Sequence, residues 1–211
     1  MQPPQIFILD LDGTISDPAS GICQCLNYSL SSFGYPKHSM SDISPYIGPP
    51  LDYSFRQITG ETSEERIAEM VAKYRERYGR VGYAENMLYP GIPGAILALS
   101  DKGVLLGVCT SKRADFAEKI LEMFALRQYI SFVSGGDVGV KKENQLRELL
   151  EDGTIDKSAV MIGDRAIDIL AARANGLASV GVLWGYGSKS ELQDAGPGKI
   201  IERPDQLPDL V

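Results

Sequence analysis

Six short, largely apolar runs are spaced along the chain, and segments with helical periodicity lie between them. The clearest runs cover residues 5–9, 104–109, 159–162 and 179–183, and weaker ones cover 130–133 and 199–201. Helix-like segments cover 93–99, 114–124, 143–150 and 166–174. Strands that are apolar on both faces and alternate with amphipathic helices are typical of a parallel sheet covered on both sides. We therefore predict one doubly wound, Rossmann-like α/β core formed by residues 1–14 and 86–211.

The segment between these two parts of the core, residues 15–85, has a different, helical pattern. A helix is expected to begin at Asp17-Pro18, an N-cap followed by a first-turn proline. Apolar residues then recur every three or four positions, at Ile22, Leu26, Leu30 and Phe33. A second helix is expected after a capping box at 62–65, a rigid turn is expected at 47–51, and no buried strand is predicted. Residues 15–85 are thus predicted to form a helical cap inserted directly after the first strand.

Composition and charge narrow the classes of partner. The 211 residues include 21 Lys and Arg and 28 Asp and Glu, a formal charge of −7. Nonspecific binding to nucleic acid or to an anionic membrane needs clustered positive charge, so neither partner is expected. No apolar run is long enough to span a membrane, and residues 1–4 do not start a secretory leader. Three cysteines without a C-x-x-C pair suit a reducing compartment, so a cytoplasmic protein is expected.

Polar side chains follow three of the predicted strands, where parallel sheets bind their ligands. They are the run 10–14 (Asp-Leu-Asp-Gly-Thr), the run 110–112 (Thr-Ser-Lys), and the run 163–168, which contains Asp164 and Asp168. Any one of these runs alone is also explained as a helix N-cap, and Asp164 could serve only as the cap of the helix that follows it. Three coincident runs, one of them an Asp-x-Asp that no cap requires, favour a functional site.

Together with a lysine at 141 or 142, these runs resemble the four motifs of the haloacid dehalogenase superfamily, in the usual order. The runs 89–91 (Tyr-Pro-Gly) and 184–187 (Trp-Gly-Tyr-Gly) resemble its phosphoglycolate-phosphatase-like members. The resemblance implies a Mg²⁺-dependent phosphatase that hydrolyses a small phosphomonoester through an aspartyl-phosphate. It also implies that the inserted cap closes over the site, with hinges expected near 15–17 and 85–88.

The resemblance assigns roles to the four aspartates. Asp10 corresponds to the nucleophile that attacks phosphorus, and Asp12 to the acid and base that protonates the leaving oxygen and then activates water. Residues two apart on an extended segment can address one centre, which fits this division of roles. Mg²⁺ is expected to be held by Asp10, Asp164 and the backbone carbonyl of Asp12. Asp168 is expected not to bind the metal directly but to orient the lysine or a metal-bound water.

Phosphate-binding residues follow from the remaining motifs. Thr110 and Ser111 correspond to the residues that bind the transferring phosphoryl group. The lysine is less certain because the Lys-Pro pair common in the family is absent, and Lys141 and Lys142 are both candidates. We favour Lys142, since its distance from Leu146 resembles the family pattern better.

Several alternatives remain open at this level. A phosphomutase uses the same core, and a non-enzymatic phospho-acceptor signalling module shares its Asp, Thr or Ser, Lys and Mg²⁺. Such a module is shorter and carries its aspartate on the third strand, and a dehalogenase would give Asp12 no role. Phosphoglycolate, a nucleoside monophosphate and a sugar phosphate all remain candidate substrates. Arg56 and the turn 48–51 could contact substrate, and a surface arginine and a turn internal to the cap explain them equally well. The oligomeric state is not predicted.

Overall fold

A six-stranded parallel sheet forms the centre of the core. The computed structural model describes residues 5–211; residues 1–4, which fall in the predicted core and in the segment searched for a leader, lie outside them. The strands of this sheet are β1 (Ile6–Leu9), β4 (Leu105–Thr110), β5 (Ile130–Gly135), β6 (Val160–Gly163), β7 (Ala178–Val182) and β8 (Lys199–Ile201). They lie in the order β5–β4–β1–β6–β7–β8, and every neighbouring pair is parallel.

Helices cover both faces of this sheet. They are α5 (Ile92–Asp101), α6 (Ala114–Met123), α7 (Lys142–Glu151), α8 (Ala166–Ala174) and α9 (Lys189–Ala195). Alternate residues of β1 enter different clusters: Phe7 and Leu9 pack with α5 and α6, whereas Ile6 and Ile8 pack with α7 and α8. A strand buried on both faces has no polar face, which explains its uninterrupted apolar sequence. The prediction of a doubly wound α/β fold is confirmed.

Helices dominate the inserted segment as well. They are α1 (Ala19–Ser32), α2 (Met40–Ile43), α3 (Leu51–Thr59) and α4 (Glu64–Arg80). Their apolar faces share a cluster distinct from those on the sheet. Its members include Ile22, Leu26 and Met70 of the insertion and Phe116 of the core helix α6. Ser63 caps α4 by accepting a hydrogen bond from the Arg66 amide at 3.3 Å. The helical cap is thus present, and its bounds at residues 15 and 85 stay a prediction.

Three details of the insertion differ from the sequence prediction. The turn at 47–51 leads directly into α3, which was not predicted. Helix α1 begins at Ala19 with Pro18, not Asp17, as its N-cap residue, and Asp17 accepts a hydrogen bond from the Ala19 amide at 2.9 Å. The segment also contains a strand: β2 (Ser16–Asp17) pairs antiparallel with β3 (Met87–Leu88), so the two chain passages between insertion and core are joined side by side.

None of the helices within residues 5–211 combines the length and the apolar character that crossing a membrane requires.

Candidate active site

Three adjacent strands bring the predicted site residues together. Strand β1 lies between β4 and β6, so the residues that follow their carboxyl ends meet at one edge of the sheet. Asp10 and Asp12 follow β1, Thr110 ends β4 and Asp164 follows β6, and all four side chains are buried. The structure therefore assembles motifs that are 100 and 150 residues apart in sequence.

The loop after β1 is folded tightly around the carboxylates. The Leu11 amide donates to Asp10 Oδ1 at 2.7 Å, and Thr14 Oγ1 donates to Asp164 Oδ1 at 3.2 Å. Gly13 has φ +88°, and a Cβ there would overlap the carboxylate of Asp164. Glycine is needed at this position both for the left-handed backbone and for the close approach of β6.

Asp10, Asp164 and Asp168 form a buried acidic cluster. One carboxylate oxygen from each lies within 4.8 Å of the others. Burial, followed by the charges of Asp168 and Asp10, raises the pKa of Asp164 to about 8. Three converging carboxylate oxygens are the ligand set that a hard divalent cation prefers, and such a cation would relieve their repulsion. The cluster therefore fits the expected Mg²⁺ site for Asp10 and Asp164, whereas the Asp12 carboxylate points elsewhere.

Lys142 enters this cluster from the first residue of α7. Its Nζ lies 3.0 Å from Asp10 Oδ2 and 2.5 Å from Asp168 Oδ1, with no exposed side-chain area. Burial alone would lower the pKa of Lys142, but Asp10 and Asp168 outweigh it and raise the pKa. Lys141 is exposed at the N-cap of α7. Of the two candidates, only Lys142 contacts the acidic cluster, and its role with phosphate stays a prediction.

Both oxygens of Asp168 already have donors. Oδ1 binds Lys142, and Oδ2 accepts the backbone amide of Arg165 at 3.0 Å. Arg165, not Asp164, is the N-cap residue of α8, so the interpretation of Asp164 as a simple helix cap does not describe the structure. This arrangement suits an orienting role for Asp168, as the motif resemblance implied.

The run 184–187 completes the support of Asp164. The Tyr186 amide donates to Asp164 Oδ2 at 2.8 Å, and Trp184 Nε1 donates to the Thr14 carbonyl at 2.9 Å. A side chain at Gly185 would overlap Asp164. The Tyr186 hydroxyl donates to Asp17 of β2, so the same segment ties the acidic cluster to the base of the insertion.

Thr110 and Ser111 lie at the end of β4, on the other side of Asp10. Thr110 is buried, and its carbonyl accepts a hydrogen bond from the buried Gln145 amide at 3.1 Å. Ser111 is half-buried and lines the cleft described below. Thr110, Ser111 and Asp10 line the same cleft, and the role of the first two in binding phosphate stays a prediction.

Lys112 is a site residue that the sequence interpretation missed. Its Nζ lies 2.7 Å from Asp12 Oδ2 and donates to the Tyr78 hydroxyl at 2.8 Å. Burial would lower its pKa, but Asp12 and Tyr78 raise it. Burial raises the pKa of Asp12, and Lys112 opposes that shift. The sequence pointed to Lys112 only through its position at the end of the run that follows β4. A surface lysine would explain that position equally well.

A cleft of about 680 Å³, including its solvent-open mouth, lies between the insertion and this edge of the sheet. The turn 48–51 lines it, as expected, with Tyr46, Tyr74 and Tyr78 beside it. Arg56 lies outside this lining and pairs with Glu64 instead.

Two contacts join the insertion to the core at the cleft. Arg165 donates to the Ile47 carbonyl at 2.8 Å, and Arg75 of α4 forms an ion pair with Asp137. In this structure the insertion therefore packs against the core at the cleft.

Similarity to known proteins agrees with this geometry. The 5′-nucleotidase of Pseudomonas aeruginosa is 37% identical over 191 residues, which cover 89% of this chain and 86% of that protein. Tyrosine-protein kinase PtkA of Mycobacterium tuberculosis is 35% identical over 88% of this chain, and the match spans 64% of PtkA. The crystal structure of a predicted phosphatase from Clostridium acetobutylicum has a TM-score of 0.92 at 35% identity, with 98% of this chain and 97% of that chain covered.

The family comparison covers the site directly. The model of the family described as haloacid dehalogenase-like hydrolase matches residues 7–182, a span that includes all four motifs and the insertion. The resemblance inferred from the motifs is confirmed: the chain belongs to the haloacid dehalogenase-like hydrolase family.

Proposed function

We propose that this chain, a phosphoric monoester hydrolase, cleaves small phosphomonoesters with Mg²⁺ through an aspartyl-phosphate on Asp10. The observation that carries the proposal is the position of the Asp10 carboxylate. It lies inside the buried acidic cluster, 3.0 Å from Lys142 and at the floor of the cleft. An anionic nucleophile can approach an anionic ester only where charge is neutralised and geometry is fixed, and this arrangement supplies both conditions.

The proposed reaction has two steps. A carboxylate oxygen of Asp10 attacks phosphorus, the bond from phosphorus to the ester oxygen breaks, and Asp12 donates a proton to that oxygen. Asp12 then takes a proton from water, which attacks phosphorus and breaks the bond to Asp10. Thr110 and Lys142 hold the oxygens of the phosphoryl group in both steps.

The charges of the site support a divalent cation. Four buried aspartates (10, 12, 164 and 168) face two buried lysines (112 and 142), which leaves 2 − 4 = −2 when all six are ionised. One Mg²⁺ would balance this charge. Asp10, Asp164 and the backbone carbonyl of Asp12 would hold it, and it would supply charge neutralisation of the phosphoryl group.

The charge of the cleft favours a leaving group without a second anionic group. Within residues 5–211, the cations that line the cleft are each paired with a carboxylate: Lys112 with Asp12, Arg113 with Asp115, and Arg75 with Asp137. A carboxylate beside the ester, as in phosphoglycolate, would have to displace one of these pairs. A nucleoside would not, and the relative named 5′-nucleotidase agrees with that choice.

A phosphate-release panel tests the proposal. With Mg²⁺ present, nucleoside 5′-monophosphates, phosphoglycolate, a hexose phosphate and a phosphotyrosine peptide are compared at equal concentration. We expect release from the small esters, fastest from the nucleotides, and release lowered at least a hundredfold in Asp10→Asn. Release from none of them, or unchanged release by Asp10→Asn, would contradict the proposed function; preference for phosphoglycolate would overturn only the choice of leaving group.

A further inference from the structure

The two oxygens of Asp12 have different surroundings. Oδ2 forms the 2.7 Å ion pair with Lys112. Oδ1 is buried and has no hydrogen-bond partner within residues 5–211. A buried carboxylate oxygen gains free energy when a donor reaches it, and Asp12 lines the cleft, where a bound group can approach it. One oxygen of Asp12 is therefore held in place while the other is free to meet the reacting atoms.

Tyr78 fixes the position of Lys112. The Lys112 Nζ donates to the Tyr78 hydroxyl at 2.8 Å and lies 4.6 Å from the centre of the same ring. Tyr78 is itself held between two other rings, stacked on Tyr74 at 5.3 Å and edge-on to Phe116 at 5.0 Å. Contacts on two sides of the ring restrict its movement, so its hydroxyl is a well-positioned acceptor for Lys112.

We propose that Lys112 is a positioning residue for Asp12, held in place by Tyr78. Its hydrogen bond to Oδ2 sets the plane of the carboxyl group so that Oδ1 faces the ester oxygen of the substrate. Tyr78 belongs to α4 of the insertion and Lys112 to the core, so the alignment is complete only when the insertion is seated. The inference rests on the proposed function, because it assumes that Asp12 transfers the proton.

In the first step Oδ1 gives its proton to the ester oxygen as the bond to phosphorus breaks. In the second step it receives a proton from the attacking water. Lys112 keeps its own protons throughout and donates to Oδ2 in both steps. Misalignment of Asp12 should therefore affect proton transfer and leave phosphoryl binding by Thr110 and Lys142 intact.

Leaving-group dependence isolates this role. An alkyl phosphate releases a strongly basic alkoxide, which needs the proton from Asp12. p-Nitrophenyl phosphate releases a weakly basic phenolate, which does not. Since a general acid contributes about a hundredfold or more to such a reaction, loss of its alignment should slow the alkyl ester selectively.

The experiment measures kcat and KM of the full chain on both esters with Mg²⁺. For Lys112→Met we expect kcat/KM on the alkyl phosphate to fall about a hundredfold and kcat/KM on p-nitrophenyl phosphate to fall less than about threefold. The comparison uses kcat/KM because this ratio covers the steps up to release of the leaving group, whereas kcat also contains the hydrolysis of the aspartyl-phosphate, which both esters share. Lys112→Arg should restore part of the alkyl activity, and Tyr78→Phe should show the same selectivity with a smaller loss. Lys119→Met, at an exposed lysine on α6, is the control and should leave kcat and KM on both esters unchanged.

Each other result has a distinct meaning. Equal losses of kcat/KM on both esters in Lys112→Met and Tyr78→Phe would overturn the positioning role. An increase in KM with kcat retained would overturn it as well, because it would make Lys112 a substrate-binding residue. Thermal unfolding checks that each variant is folded, and Tyr78→Phe decides the question if Lys112→Met is not. Undiminished alkyl activity in Asp12→Asn would instead remove Asp12 from proton transfer, and with it that part of the proposed function.

Discussion

Replacing Lys142 by methionine separates the two candidate lysines and tests the electrostatics of the acidic cluster. Lys142 has no exposed side-chain area, and its ammonium group lies between Asp10 and Asp168. Methionine keeps the length of the side chain and removes the charge. Leaving buried carboxylates without their cation costs about 3–5 kcal/mol of unfolding free energy. Loss of a charge-assisted contact to the phosphoryl group should cost about 3 kcal/mol in the transition state, or about a hundredfold in rate.

Two assays measure these effects against Lys141→Met as the control. Urea unfolding at pH 7 without Mg²⁺ gives the stability, and phosphate release with Mg²⁺ gives the rate. Lys141 is exposed, so its variant should stay within about 0.5 kcal/mol of the parent and keep its activity. The destabilisation of Lys142→Met should shrink toward pH 5, because carboxylates that have lost their cation protonate more readily.

Exchange of the two phenotypes would mean that the assignment of the lysine is wrong by one residue. If Lys142→Met and Lys141→Met both kept full stability and activity, the electrostatic argument itself would be refuted. The acidic cluster would then need no cation from α7.

Two further predictions concern the metal site and the seating of the insertion. Asp164→Asn should abolish activity yet stabilise the metal-free protein. The pKa of Asp164 rises from 3.8 in the unfolded chain to about 8 in the folded protein, so ionisation of this carboxyl group opposes folding. The opposition grows from pH 4 to pH 8 and reaches about 5 kcal/mol, which the variant should recover. Urea unfolding in EDTA at pH 5 and pH 8 measures this, and an equal effect at both pH values would contradict it. Arg75→Ala should speed hydrogen exchange severalfold at Gly48 and Leu51, the two residues of the turn 48–51 that have a backbone amide hydrogen. The exposed Arg80→Ala is the control, and unchanged exchange would show that the pair of Arg75 with Asp137 does not hold the insertion.

Much of the core was predictable from sequence because its strands are buried on both faces. Such strands are apolar without interruption, so their positions were found to within one or two residues. The site followed from topology, since polar residues at the ends of parallel strands meet wherever those strands are neighbours. The preference for Lys142 over Lys141 came from the resemblance to the family, because the distance from Lys142 to Leu146 resembles the family pattern better.

The features that were missed are either very short, obscured by a local signal or dependent on contacts between distant parts of the chain. Helix α3 was obscured by two prolines, which predict a turn, and Pro50 in fact precedes the first residue of the helix. Strands β2 and β3 have two residues each, too few for any pattern to show. Lys112 is placed by contacts with Asp12 and with Tyr78, which lie 100 and 34 residues earlier in the chain. No local periodicity records such a contact.

The central claim, an aspartyl-phosphate on Asp10, is tested most directly by trapping it. Asp12→Asn is mixed with p-nitrophenyl phosphate and Mg²⁺, because the first step needs little acid with this ester while the second is slowed by loss of the base. Acid quench, borohydride reduction and peptide mass spectrometry then locate any acyl-phosphate as a reduced side chain. The account predicts reduction at position 10 that depends on substrate and is absent when Asp10→Asn is added. Turnover without modification of Asp10, or reduction at another carboxylate, would contradict it.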